Sequence, residues 1–162
     1  MSCIEETIVP AASEVQRSFD NAKEDAVNYG VELESRIDLS RISSFLRNFL
    51  VNFNCTMVHS RIDVHQGLVN DSRSLWGQSP YTINASLYYT NPENQTGINL
   101  SYNVAGRRIV QVAQVGAFAF DDPHVYERPH NQLDLSVSQV LFENVALKFS
   151  AKALLNEAVE WE

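Results

Sequence analysis

Between Tyr81 and Val104 apolar side chains return on every second residue, twice, on either side of a Pro/Asn/Gly break. Ile83, Ala85, Leu87 and Tyr89 alternate with Thr82, Asn84, Ser86 and Tyr88. Ile98, Leu100, Tyr102 and Val104 then alternate with Asn99, Ser101 and Asn103. Successive side chains of a strand point to opposite faces, so period two predicts strands with one apolar and one polar face. The pattern recurs four more times. Val27, Tyr29, Val31, Leu33 and Ile37 share a stripe opposite Asn28, Gly30, Glu32, Glu34 and Arg36. Phe49, Val51, Phe53, Cys55 and Met57 stand opposite Leu50, Asn52, Asn54 and Thr56. Leu133, Leu135 and Val137 oppose Asp134, Ser136 and Ser138, and Val145, Leu147, Phe149, Ala151 and Ala153 oppose Ala146, Lys148, Ser150 and Lys152.

These six segments, with a partial strand at Ile4–Val9, predict an all-β chain. Most run about ten residues, whereas ordinary strands average about five or six. A tilted strand crossing a bilayer needs roughly 9–11. The links alternate in length. "DLSRISSFLR", "TNPENQ" and "FEN" are the shorter ones, "RIDVHQGLVNDSRSLWGQSP" and "VQVAQVGAFAFDDPHVYERPHNQ" the longer. An antiparallel up-and-down sheet with short turns at one end and long loops at the other has this rhythm, and outer-membrane barrels show the same asymmetry. Two stretches leave the period. Ile42, Phe45, Leu46, Phe49 and Leu50 have helical spacing, which leaves a short helical turn near 40–48 open. "SAKALLNEAVEWE" reads equally as a helix, the strand reading stopping near Leu155.

Bulk properties exclude several classes. Twelve basic against twenty acidic residues give a formal charge of −8, and Arg107–Arg108 is the sole adjacent basic pair, so a nucleic-acid partner is not expected. "MSCIEETIVP" lacks the apolar core of a signal peptide, and no run reaches the ~18 apolar residues of a membrane helix. Cys3 and Cys55 set no disulfide framework. His59, His65, His124 and His130 lack metal-ligand spacing, so neither metal nor cofactor is expected. G-x-S-x-G, P-loop and G-x-G-x-x-G motifs are missing, and alternation places Asp134, Ser136 and Ser138 in a plain polar stripe near His130. The expectation is therefore a protein that is not an enzyme.

Six short texts stand in order: "IEETIVP", "NYGVELESR", "GQSPYTINASLYY", "LSYNVAGRRI", "HVYERPHNQLDLSVSQ" and "LKFSAKALLNE". Over roughly residues 4–157 they resemble the C-terminal barrel region of TonB-dependent outer-membrane receptors, most closely those of Bacteroidetes. The resemblance implies an open piece, six or seven strands long, of a ~22-stranded antiparallel barrel whose lumen is plugged. It implies uptake of a nutrient such as an iron chelate, cobalamin or glycan, in the bacterial outer membrane. The implied partners are outer-membrane lipid, a plug domain and a periplasmic energy-coupling protein. The plug, the box that contacts the coupling protein and the last strands are not among the matching texts, so residues 1–162 read as a barrel fragment of a longer parent, which would also supply the signal peptide.

In such a wall the polar stripe faces the lumen, because Lys or Arg facing lipid costs ~2–4 kcal/mol at mid-membrane. The candidate lumen-facing residues are Glu32, Glu34, Arg36, Asn52, Asn84, Asn99, Asn103, Asp134, Lys148 and Lys152, with opposite charges expected to pair across strands. In the long loop, Phe118, Phe120, Asp121, Asp122, His124 and Tyr126 are candidate ligand contacts, aromatics beside carboxylates at the extracellular mouth. Tyr81, Tyr88, Tyr89, Tyr102 and Trp76 are candidates for an aromatic girdle. Periodicity alone also admits a soluble β-sandwich that binds a ligand or carbohydrate, since half-buried sheets alternate identically.

Overall fold

The alternating segments are strands. The computed structural model describes residues 4–10, 15–21, 25–66, 69–113, 123–142 and 145–162. In chain order the strands are β1 (Ile4–Pro10), β2 (Val15–Asn21), β3 (Val27–Asp38), β4 (Phe49–Gln66), β5 (Val69–Arg73), β6 (Tyr81–Asn91), β7 (Thr96–Ala105), β8 (Arg108–Gln111), β9 (Val125–Glu127), β10 (His130–Phe142) and β11 (Val145–Ala151). No α-helix occurs among the described residues. The main sheet runs β3-β4-β6-β7-β10-β11, every neighbour antiparallel. It is an up-and-down sheet that does not close on itself, with β3 and β11 at its edges. β1 and β2 pair with each other, β5 pairs with the far end of β4, and β8 with β9.

Antiparallel pairing places the ends of β3, β6 and β10 and the starts of β4, β7 and β11 at one end of the sheet, where the chain reverses by the shorter links. At the short end the chain turns through two single 3₁₀ turns, Leu39–Arg41 and Ser44–Leu46. Asp38 Oδ1 accepts from Ser40 N at 2.9 Å and Ser43 Oγ from Phe45 N at 3.3 Å, satisfying N–H groups that a 3₁₀ start leaves open. At Asn91 the side chain likewise accepts from Glu93 N at 2.9 Å.

Two expectations change. The segment "RIDVHQ" is strand, not loop, because β4 continues to Gln66 and turns back through β5. The C-terminal segment forms no helix. β11 ends at Ala151, Ala153 and Asn156 take positive φ (54° and 48°), and the chain returns to pair with β9. There Tyr126 N donates to Glu162 O at 2.8 Å, Glu162 N to Tyr126 O at 2.9 Å, and Arg128 N to Glu160 O at 2.9 Å. Backbone groups that a helix would consume internally are used between strands instead.

Register carries each face across the sheet. On one side the cross-strand partners include Ile37–Val51–Leu87–Leu100–Leu135–Ala151, which spans all six strands. Flanking rows read Leu33–Cys55–Ile83–Val104 and Phe49–Tyr89–Ile98–Val137–Phe149. Nothing described covers most of this face: Val31 is 75% exposed, Leu33 60%, Met57 62% and Phe149 64%. Among the described residues the buried hydrophobic ones are Ile62, Val64, Val104 and Ile109, all toward the long-link end. Among the described residues the sheet is thus a single layer with a small core at one end.

Candidate functional site

The polar face is built by the same register. Glu34, Asn54, Asn84, Asn103 and Gln132 form one cross-strand row, and Arg36, Asn52, Ser86, Ser101 and Asp134 the next. Along most of each strand every second residue adds a polar group to this surface, with Gly30, Leu50, Val140 and Ala146 among the exceptions. Asn103 Nδ2 donates to Asn84 Oδ1, Asn84 Nδ2 to Asn54 Oδ1 at 3.5 Å, and Asn54 Nδ2 to Glu32 Oε1 at 2.7 Å. An amide both donates and accepts, so it can pass a hydrogen-bond chain across strands and end it on a carboxylate.

Of the residues singled out from the sequence, Glu32, Glu34, Arg36, Asn52, Asn84, Asn99, Asn103, Asp134 and Lys148 share this face. Lys152 lies one residue past the end of β11. The expected cross-strand ion pairs do not form: none of Glu32, Glu34, Arg36, Asp134 and Lys148 has an ion pair among the described residues. Asp134 instead accepts from Gln132 Nε2 at 2.9 and 3.1 Å and from Ala153 N at 2.9 Å. Ser136 Oγ meets Ser150 Oγ at 3.4 Å, and Ser138 donates to Gly97 O at 3.4 Å. With these partners, Asp134, Ser136 and Ser138 are a stripe along one strand rather than a nucleophile with its base.

Phe118, Phe120, Asp121 and Asp122 lie outside the described residues. His124 precedes β9, and Tyr126 is its middle residue. His124 Nδ1 accepts from Ala113 N at 2.9 Å, and its ring stands edge-on to Tyr126 with centroids 6.2 Å apart. The tyrosines divide between faces. Tyr81 and Tyr89 occupy the two ends of the apolar stripe of β6, Tyr102 its interior in β7, and Tyr88 the polar face, so Tyr88 cannot join a girdle on the apolar side.

β4 adds a feature the sequence reading missed. Its odd residues are apolar from Phe49 to Met57, then become His59, Arg61 and Asp63; its even residues become Ser60, Ile62 and Val64, which are buried. The strand continues while the polarity of its faces exchanges. The apolar band therefore stops at Met57 and Tyr81, near the stacked Tyr29 and His59 rings, 5.1 Å apart.

Two recesses open at opposite ends. A recess of about 470 Å³ at the short-link end is lined by Arg36, Arg47, Leu50, Asn52 and Tyr88, among others. Arg47 is 3.7 Å from Glu93, and Asn52 Oδ1 is buried without a hydrogen-bond partner. A recess of about 380 Å³ at the long-link end is lined by Arg61, Arg73 and Arg107. Sequence reasoning could not assemble these arginines, which come from β4, β5 and the link after β7. Beside them the C-terminal segment is held by charge: Arg128 reaches Glu160 and Glu162 at 2.9 Å each, and Arg107 reaches Glu162 at 2.9 Å; Arg108 reaches Glu127 at 3.0 Å between β8 and β9. Glu162 is held below the ordinary glutamate range, first by its hydrogen bond from Arg128, and Arg128 is raised in turn.

Among the described residues no three His, Cys, Asp or Glu side chains gather as a metal site. Compared with protein-family models, with curated proteins and with solved structures, the chain matches none.

Proposed function

We propose that this sheet is part of the wall of an outer-membrane β-barrel in a nutrient-uptake receptor of the TonB-dependent kind. A single layer with one apolar face has to bury that face against a second layer or a nonaqueous solvent. One observation carries the membrane half of this reading: the apolar face continues over six strands, is for the most part uncovered by any described residue, and ends where the faces of β4 exchange polarity. In β4 the band covers the nine residues Phe49–Met57 that pair with β6, close to the length a tilted crossing strand needs. The nutrient-receptor half rests on the ordered motifs from "IEETIVP" to "LKFSAKALLNE".

In this reading the amide rows line the aqueous side. Asn54, Asn84 and Asn103 offer neutral donors and acceptors, which suits passage of a polar solute and involves no covalent chemistry. On this reading the plug and the remaining strands belong to the parent protein, the periplasmic energy-coupling protein is a separate partner, and β3 and β11 are the edges at which further wall strands would pair. The rival reading, a soluble ligand-binding β-sandwich, requires a second sheet over Leu87 and Leu100, which are 38% exposed each.

The test is the solvent the fold needs. Diluted from urea, the chain is expected to gain its β-spectrum only with detergent micelles or vesicles, and to aggregate in buffer. A monodisperse monomer with a cooperative melt in plain buffer refutes the membrane wall and favours the sandwich.

A further inference from the structure

We propose that the recess lined by Arg61, Arg73 and Arg107 is a binding site for an oxyanion, either a free phosphate or carboxylate solute or the phosphate of a lipid headgroup. The molecule carries a formal charge of −8, yet Arg61, Arg73 and Arg107 all contribute to the lining of this recess, and among the described residues no carboxylate does. Ser72, Ser74 and Gln78 add hydroxyl and amide donors to the lining. Arginine presents a planar fork of five N–H donors that matches the oxygens of phosphate and carboxylate.

The walls are fixed before any ligand arrives. Val58 N donates to Pro80 O at 2.9 Å, Gly77 N to Ile109 O at 2.9 Å, Leu75 N to Ser60 Oγ at 3.2 Å, and Trp76 Nε1 to Val110 O at 2.9 Å. Ser79, itself buried, donates to Gly106 O at 2.9 Å and ties this segment to the start of the link that carries Arg107. Gly106 has no room for a side chain, since a Cβ there would press on the Tyr81 ring.

Arg61 and Arg107 have donors to spare. Arg61 gives Nε and Nη2 to one oxygen, Asp63 Oδ1, at 3.2 and 3.1 Å. Arg107 gives Nε to Glu162 Oε1 at 2.9 Å and lies 3.8 Å over the Tyr126 ring. Among the described residues the other N–H groups of Arg61 and Arg107 have no acceptor. Both carboxylate contacts are half-exposed surface pairs, which an incoming dianion can outcompete.

Position connects the site to the surroundings. Arg61 sits two residues past His59 and four past Met57, just beyond the apolar band of β4 and on the same outward side. On the membrane-wall reading this is headgroup level, and only the assignment to a headgroup rests on that reading.

The test uses the full chain in nonionic detergent with inorganic phosphate, followed by calorimetry and phosphorus NMR, and the reconstituted chain in phosphatidylglycerol against phosphatidylcholine vesicles. The variants are the double Arg61→Gln/Arg107→Gln, the control Arg47→Gln in the other recess, and Asp63→Asn, which removes a competing carboxylate. Saturable phosphate binding that weakens at least about tenfold in the double variant, tightens in Asp63→Asn and ignores Arg47→Gln supports a solute site. Preference for phosphatidylglycerol without free-phosphate binding, abolished by the double variant, assigns the headgroup. Binding that the double variant leaves intact, or none in either arm, overturns the site. A detergent-free monomer that still binds phosphate defeats the membrane wall and leaves the site standing.

Discussion

Replacing Ala85 by arginine places a cation at the centre of the apolar stripe of β6. Ala85 lies midway between Tyr81 and Tyr89, with Phe53 of β4 and Tyr102 of β7 as its cross-strand partners. Each end of the stripe is four residues away, roughly 13 Å at about 3.3 Å per residue, and Glu32, Glu34 and Asp134 point to the other face. The new guanidinium therefore meets neither an acceptor nor water without a long reach. Arginine on the lipid side of a barrel costs ~2–4 kcal/mol at mid-membrane and ~0–1 near the interfaces. At about tenfold per 1.4 kcal/mol, Ala85→Arg should lower the folding constant in vesicles by roughly thirty- to a thousandfold. Tyr89→Arg, at the end of the stripe, should cost about 1 kcal/mol beyond the packing it loses against Phe49, whose ring is 5.0 Å away. Ser86→Arg, one residue along and on the polar face between Asn52 and Ser101, should stay within about 0.5 kcal/mol. The assay is urea titration of the reconstituted chain by circular dichroism. An Ala85→Arg cost below about 0.5 kcal/mol, or a Ser86→Arg cost equal to it, refutes the assignment of faces.

Three further outcomes follow from particular contacts. Gly30 faces Val58 so closely that a Cβ would press on the Met57 carbonyl oxygen; Gly30→Ala should cost about 1–3 kcal/mol of overpacking in a denaturant titration, and no change would show that β3 sits further from β4. Ser79→Ala leaves the buried Gly106 carbonyl without its donor and should cost about 1–3 kcal/mol by the same titration. Glu162 has a folded pKa below its ordinary value, so its hold on the C-terminal segment is complete above about pH 4.3 and is lost as pH falls through the lowered folded value. Trp161, next to Glu162, should report that release by its fluorescence on acidification. In Glu162→Gln that acid transition should disappear; its persistence there would assign it to another group.

The faces and the strands could be read from the text because both follow from period two alone. Val27 to Ile37, Phe49 to Met57 and Ile83 to Val104 announce their strands, and the structure pairs them in chain order. The extension of β4 was hidden by the exchange at Val58. His59, Arg61 and Asp63 still alternate with Ser60, Ile62 and Val64, but in the opposite phase, so a single-phase reading ends the strand there. The pairing of Glu160–Glu162 with β9 carries no periodic signal; it rests on backbone hydrogen bonds and on arginines about thirty residues away in sequence. The arginine recess was equally silent, since nothing local links Arg61, Arg73 and Arg107. The polar residues were legible as a face, while their hydrogen bonding was not. Which amide meets which depends on register, and register replaced the expected ion pairs by the Asn103–Asn84–Asn54–Glu32 chain.

The most direct measurement places a nitroxide at Leu87, Leu100 or Leu135, and separately at Asn84, Ser101 or Ser136, in a chain with Cys3 and Cys55 replaced by serine. After reconstitution into vesicles, collision rates with oxygen and with a water-soluble nickel chelate are compared. High oxygen and low nickel access at the three leucines, with the reverse at the three polar positions, is the predicted result. Leucine sites shielded from both reagents would contradict the account, because that is the signature of side chains sealed beneath a second layer of protein.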